Sequence, residues 1–357
     1  MVNAEFWDGK RVLLTGSTGF KGSWLSLWLK LLGSELICYS LPPPTSPSLC
    51  ELVRADEGAT SIKGDVRDFE LLQKTIQDNG PEIVIHMAAQ SLVRRSYRDP
   101  LETYSTNVMG TANLLEAIRG AGSVKAAVNV TSDKCYENAG GGKGFVETDA
   151  MGGSDPYSSS KGCAELVTAA YARSFFSRDS GAAVASARAG NVIGGGDWAE
   201  DRLVPDIIKS FIEKRPVKIR NPEAVRPWQF VLEPLRGYLA LAEKLYAHGR
   251  EFASGWNFGP SMEDAKPVSW IAQEIARRWG SGADVEIDRG GQHPREAASL
   301  CLDWTKAKDR LGWTPAMDLP EAVDWTVAWY RKYAGDPSAL RAFTEKQIID
   351  YMELSKA

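Results

Sequence analysis

Residues 11–22 run RVLLTGSTGFKG. Arg11–Thr15 is a short apolar run of the kind that forms a buried strand, and Gly22–Leu32 continues as an apolar stretch of helical character. Between them glycines fall at 16, 19 and 22. A tight turn out of a strand needs glycine at its start, and close approach of backbone to a pyrophosphate needs a missing side chain. The free amides and the dipole at the start of the next helix then favour an anion. Three spaced glycines alone are a common accident. Strand, turn and helix in step with them make dinucleotide binding the expectation.

Working outward, Glu35–Tyr39, Ser61–Lys63, Ile83–His86, Ala126–Thr131 and Ala183–Ala187 read as further strands. Helical stretches at Leu71–Asn79, Thr106–Gly120 and Pro156–Phe176 alternate with them. That alternation predicts an α/β fold with a Rossmann-type, doubly wound parallel sheet. The pattern changes near residue 190, where Gly194–Gly196 and the prolines Pro205, Pro216, Pro222 and Pro227 punctuate shorter elements. Helices are expected again over Ser269–Trp279 and Leu319–Tyr333. Residues 1–189 are thus expected to form a dinucleotide-binding domain that also carries the catalytic groups. Residues 190–357 are expected to form a smaller α/β domain, mainly for substrate, with some segments returning to the first sheet.

The strand tips supply more. Gly64-Asp65-Val66 places a carboxylate where an adenine amino group can be met, and Ala88-Ala89 offers small side chains on which a cofactor can lie. The second strand ends on Cys38-Tyr39-Ser40, without the carboxylate that usually binds the adenosine ribose of NAD, so NADP stays open beside NAD. Tyr157 and Lys161 are spaced i, i+4 on a helix and share one face. A cation near a phenol favours phenolate, which predicts a Tyr157 pKa drawn down toward working pH. A phenolate can take a hydroxyl proton as hydride leaves the same carbon. Ser132, Asp133 and Lys134 follow the strand Ala126–Thr131 at the carboxyl edge of the sheet, where open α/β sheets bind ligands. Ser132 can bond the reacting hydroxyl; Asp133 and Lys134 add an acid/base pair.

Composition is ordinary for a globular chain, with 43% apolar and 25% charged residues over 357 positions. A net charge of −4 argues against a nucleic-acid partner. The five cysteines form no CxxC pair, which points to a reducing cytoplasm and away from zinc. No signal peptide or membrane span is expected. His86, His248 and His293 stand apart without metal-like neighbours, so no metal is expected.

Taken together, these residues resemble the extended short-chain dehydrogenases/reductases that act on nucleotide sugars, over nearly the whole chain. Thr15–Leu29, Ala88–Tyr97, Ser132–Tyr136 and Gly190–Trp198 look like the CDP-glucose 4,6-dehydratase branch in particular. Lys134 and Lys21 are the most specific single residues for it: related dTDP-glucose enzymes usually carry Asp-Glu where this chain has Asp133-Lys134, and epimerases small residues. The resemblance implies NAD as cofactor, held by Gly16, Thr18, Gly19, Phe20, Lys21, Gly22, Ser40, Asp65, Val66, Ala88, Ala89 and Asn107, together with Tyr157 and Lys161. It implies Ser132, Asp133, Lys134, Tyr157 and Lys161 as catalytic residues and CDP-glucose as the small-molecule substrate. It also implies a homodimer built from the helices Thr106–Gly120 and Pro156–Phe176, with a homotetramer as the alternative.

For the sugar nucleotide, the Asn191 amide and the guanidinium groups of Arg202, Arg226 and Arg295 are candidates for the diphosphate. Ser91 and Arg94 are candidates for the sugar. Trp228 is a candidate to stack on the base, a core position being its ordinary alternative. Another nucleotide-sugar dehydratase, a 4-epimerase, and a non-catalytic NAD-binding protein remain open readings at this point.

Overall fold

The computed structural model describes residues 2–138, 144–176, 181–219, 221–287 and 300–356. His293 and Arg295 lie outside the described residues. The strands in chain order are β1 Arg11–Thr15, β2 Glu35–Ser40, β3 Thr60–Lys63, β4 Ile83–His86, β5 Ala126–Val130 and β6 Ala183–Ala189. They continue with β7 Asn191–Ile193, β8 Val217–Ile219, β9 Val225–Phe230, β10 Gly255–Phe258, β11 Ala265–Pro267 and β12 Val285–Ile287.

Seven strands make the main sheet, in the order β10-β6-β5-β4-β1-β2-β3. Every pairing in it is parallel. A strand buried on both faces must be apolar at every position, and here alternate residues serve opposite cores. Val12 and Leu14 of β1, Ile83 and Ile85 of β4, and Ala185 of β6 enter one core; Leu13, Val84 and Val184 enter the other. The order in which strands are added reverses between β1 and β4, so a crevice opens at their carboxyl ends. Two small sheets, β11-β9-β7 and β12-β8, follow in the second half.

The helices expected at Gly22–Leu32, Leu71–Asn79 and Pro156–Phe176 are present as Phe20–Leu31, Phe69–Asn79 and Pro156–Ser174. The stretch expected as one helix over Thr106–Gly120 is a π-helical turn, Ser105–Met109, leading into Gly110–Arg119. Among the helices not expected from the sequence pattern, the longest are Leu232–His248 and Leu340–Leu354. Leu232–His248 is buried on most sides, with Leu235, Tyr238, Leu239, Leu241, Ala242 and Leu245 all in the first core. A helix that is apolar nearly all round shows no amphipathic stripe to read. It packs directly on β10, and a β-carbon at Gly237 would stand 2.3 Å from the Phe258 ring. Among the described residues no helix is long and apolar enough to cross a membrane.

β10 carries the load at its edge through Trp256, which is fully buried, donates to the Phe252 carbonyl at 2.9 Å and lies under the Lys306 ammonium at 4.3 Å from the ring centre. Trp256→Ala should cost about 3–5 kcal/mol of unfolding free energy. Urea denaturation should show this as a lower midpoint at an unchanged slope.

Candidate active site

The site begins where β1 and β4 end. Gly16 has φ +73°, and a β-carbon there would stand 2.7 Å from the Ala88 nitrogen. At Gly22 a β-carbon would come within 2.1 Å of the Gly16 carbonyl oxygen, so the helix can sit on the turn only with glycine at this place. Gly19 caps the helix Phe20–Leu31 without any side-chain hydrogen bond. The Thr15 hydroxyl accepts from the amides of Met87 and Ala88 at 3.1 and 3.2 Å and therefore gives its own proton to His86 Nδ1 at 2.6 Å. This puts the imidazole proton on Nε2. Burial, and next the Lys161 cation, push the His86 pKa down to about 3, so the ring is neutral.

Around this turn the expected cofactor residues divide. Ser40, standing where a carboxylate was sought, accepts from the Thr18 amide at 3.3 Å and bonds the Ser17 hydroxyl at 3.1 Å. The Thr18 hydroxyl bonds the Leu41 carbonyl at 2.9 Å. The Asp65 carboxylate is held by the Arg67 guanidinium at 2.5 Å, which lowers its pKa. Val66 packs so closely on Gly110 that a β-carbon there would meet it at 2.6 Å. Ala89 follows Ala88 out of the β4 tip. Asn107, in the π turn, exchanges hydrogen bonds with the Gln90 backbone at 2.9 and 3.0 Å and donates to Ser160 at 2.8 Å. It thereby ties the segment after β4 to the helix of Tyr157.

That helix starts with Asp155 as its cap and Pro156 in its first turn. Tyr157 and Lys161 are both buried on it. Opposite, Ser132 caps the short turn Asp133–Cys135 at the end of β5, accepts from the Lys134 amide at 3.2 Å and donates to Asp133 Oδ1 at 2.8 Å. Asp133 Oδ2 is buried with no protein partner, and a β-carbon at Gly190 would stand 3.1 Å from it. Lys134 Nζ lies 3.9 Å from Asp133 Oδ1 and stays about a quarter exposed. The predicted fall in the Tyr157 pKa is not what the structure holds. Burial pushes the phenol up to about 12, relieved by the Ser132 hydroxyl and more weakly by the Arg202 cation. Lys161 instead donates to the Val130 carbonyl at 3.4 Å; burial lowers it to about 8 against the pull of Glu165.

Lys21 belongs to this group as much as to the glycine turn. Its ammonium donates to the Tyr238 hydroxyl at 3.0 Å. Burial and the neighbouring Lys161 and Arg202 cations lower its pKa to about 7, with Asp133 opposing.

Among the residues expected to meet the sugar nucleotide, Arg202 donates to Asp197 at 2.9 Å and to the Ser91 hydroxyl at 3.3 Å. Arg94 pairs with Asp201 at 2.7 Å. Ser91 and Arg202 are thus brought together, with the Arg202 charge near Tyr157, while Arg94 is taken to Asp201. Asn191 and Trp228 are register partners on β7 and β9. Trp228 is 7% exposed, belongs to the main core and donates to the Lys266 carbonyl at 3.2 Å, so the ring is packed rather than offered for stacking. Arg226, half-buried on β9, donates to the Val225 carbonyl at 2.9 Å. Tyr238, Asp197, Glu165 and Arg188 were missed from the sequence. Only Glu165 had a visible trace, since it continues the four-residue spacing of Tyr157 and Lys161.

Lys21 carries a pH signature. Its proton is lost near pH 7 in the folded chain against an ordinary 10.5, so the unfolded chain binds more protons between those values and stability rises with pH there. Lys21→Met lacks this cost. Its Tm should exceed that of the unsubstituted protein most at about pH 6 and lose the advantage by about pH 10, as read by thermal unfolding across that range.

The family model described as GDP-mannose 4,6 dehydratase matches residues 13–326. A CDP-glucose 4,6-dehydratase of Salmonella typhimurium strain LT2 is 52% identical over 356 residues, covering 99% of both chains. A dTDP-glucose 4,6-dehydratase of Streptomyces griseus is 30% identical, covering 90% of this chain and 94% of its own. Among solved structures, DesIV, the dTDP-glucose 4,6-dehydratase of Streptomyces venezuelae with NAD and TYD bound, superposes with a TM-score of 0.76 at 25% identity, covering 91% of this chain and 98% of its own. A UDP-glucose 4-epimerase of Thermotoga maritima with UDP-glucose gives 0.79 at 25% identity, covering 90% and 98%. With the parallel sheet, the glycine turn at its switch point and the Tyr157–Lys161 face already in place, the chain belongs to the GDP-mannose 4,6 dehydratase family, within the extended short-chain dehydrogenases/reductases.

Proposed function

We propose that this protein dehydrates CDP-glucose to CDP-4-keto-6-deoxyglucose, with NAD bound on the Gly16–Gly22 turn. The observation that carries the reading is the meeting of two proton-transfer sets at one strand tip: Tyr157 with Ser132, and Asp133 with Lys134. An epimerase needs only the first. The choice of cytidine rests on the relative at 52% identity. NAD fits the residues present: glycines at 16 and 22 leave space no side chain could share, and the helix start at Gly19 lacks a side-chain cap.

Bound NAD supplies a hydride acceptor for C4 of the glucose and, once reduced, the hydride that returns to C6. Tyr157, as the phenolate that Ser132 and Arg202 stabilise, takes the proton of the C4 hydroxyl, which Ser132 orients. The resulting ketone acidifies C5. Lys134, as the neutral amine, takes the C5 proton, and Asp133, in its acid form, gives a proton to the departing C6 hydroxyl as water. Lys134 then returns a proton to C5. One proton remains in excess on Tyr157 and one is missing from Asp133. Ser132 touches both, with 2.8 Å to Asp133, and offers the path that resets the site. Residues 1–189 would hold cofactor and catalytic groups and residues 190–357 mainly the sugar nucleotide, with β10 lying in the main sheet.

The exposed apolar side chains of Met109 and Leu166, at 55% and 59%, support packing of this face on a second copy as a homodimer. Five cysteines without a disulfide suit a cytoplasmic setting.

Incubation with NAD and a panel of CDP-, dTDP-, UDP- and GDP-sugars tests the reading. A 4-keto product from CDP-glucose alone is expected; equal turnover of another nucleotide sugar would remove the cytidine assignment, and no turnover on any would leave a binding protein. Lys134→Ala should lower turnover about 10²–10⁴-fold. It should still reduce the cofactor in a single turnover, read as absorbance at 340 nm, without release of the C6 oxygen.

A further inference from the structure

Behind the catalytic turn lies a buried ion pair that the proposed chemistry does not use. Glu165 and Arg188 meet at 2.7 Å with side chains 4% and 5% exposed. Glu165 stands one helical turn beyond Lys161. Its Oε1 accepts the Thr131 hydroxyl, and its Oε2 accepts the Ser186 hydroxyl at 2.6 Å as well as Arg188. Arg188, on β6, reaches the other way: its Nη1 donates to the Tyr136 hydroxyl at 2.5 Å and to the Glu147 carbonyl at 3.2 Å, and the guanidinium lies 5.0 Å from the Tyr136 ring centre. Tyr136 in turn donates to Asn257 on β10 at 2.8 Å.

Thr131 directly precedes Ser132, and Tyr136 directly follows Cys135, so the pair grips the Ser132–Cys135 turn at both ends. Through Glu165 it fastens that turn to the helix of Tyr157 and Lys161. Stability alone does not account for such a pair, because replacing a buried ion pair by apolar groups is often neutral or stabilising. What only this arrangement provides is a set distance between two groups of side chains, each satisfied by directional hydrogen bonds.

We propose that Glu165, acting through Arg188, is a positioning residue that holds the Asp133–Lys134 turn in register with the Tyr157–Lys161 face, so that elimination follows C4 oxidation on the same sugar. The inference rests on the dehydratase reading above. A misplacement of about 1 Å between the two sets would slow elimination about 10²-fold while leaving hydride transfer to begin. Glu165 also faces Lys161 as its one strong anionic neighbour on the helix, and it supports the ammonium against burial. The other titratable groups around Lys161 are Tyr157 on the same helix, Cys135 in the turn, His86 on β4 and Lys21 in the glycine turn. The His86 ring is neutral above about pH 3, and burial keeps the Cys135 thiol protonated.

The test uses the NAD-loaded enzyme with CDP-glucose, comparing Glu165→Gln, the double variant Glu165→Gln with Arg188→Met, and Thr131→Val. The double variant guards against misfolding from an unpaired buried guanidinium. All three should accumulate reduced cofactor at 340 nm during a single turnover, with elimination slowed about 10²-fold and KM little changed. The two variants lacking the Glu165 charge should also move the alkaline fall of kcat to lower pH, since Lys161 then loses its proton earlier; Thr131→Val should leave that limb in place. A uniform drop in kcat, with no transient at 340 nm and an unmoved pH profile, overturns the positioning role. Failure of the unsubstituted enzyme to make a 4-keto product from CDP-glucose overturns the dehydratase reading, and this inference with it.

Discussion

Everything in this molecule is arranged around the contact between the end of β1 and the end of β4. The backbone of Gly16 passes the backbone of Ala88 so closely that no β-carbon fits between them. The Thr15 hydroxyl closes the same junction by bonding two amides and one imidazole. Because strand order reverses here, helices leave the sheet on opposite sides and the crevice stays open. A junction that excludes side chains fixes the floor of the site. The glycine turn, the β4 tip and the β5 turn then have only one place to meet.

Burial sets the proton affinities of the groups gathered there. It raises the phenol of Tyr157 and lowers the amines of Lys161 and Lys21, in each case favouring the neutral form. The ionised forms are recovered only through partners: Ser132 and Arg202 for the phenolate, Glu165 for the Lys161 ammonium, Asp133 for Lys21. Lys161 near 8 and Lys21 near 7 lie close to neutral pH, so each can change charge there. A reaction with no net redox, in which every proton taken is later given back, suits a site of this kind.

One loop of the second half ties the two parts of the chain together. Trp24, from the helix that follows the glycine turn, donates to the Gly195 carbonyl at 3.0 Å, and Tyr330 donates to the Asp197 carbonyl at 2.6 Å. A β-carbon at Gly195 would stand 2.0 Å from the Trp329 ring. Asp197, held in this way, aims Arg202 across to Ser91. The Arg202 charge is therefore anchored to the same helix that begins at the glycine turn, and the two share one support.

The strand–turn–helix at residues 11–31, the alternating sheet, the Tyr157–Lys161 face and the Ser132–Lys134 turn were all legible in the amino-acid order, because each depends on periodicity or spacing within a few residues. Four features were not. The helix Leu232–His248 hides because it is buried on most sides. Which segment of the second half returns to the main sheet, here β10, depends on pairing with β6 across a long separation. That Trp228 takes its core alternative, and that Arg67 reaches Asp65, follow from which neighbours the fold delivers. The direction of the Tyr157 shift was decided by dehydration in a closed interior, which outweighs the Ser132 hydroxyl and the Arg202 cation. Local order sets which groups are present and how they are spaced along an element. Only packing sets which of them lose water and which partner each one meets, and proton affinity follows from those two.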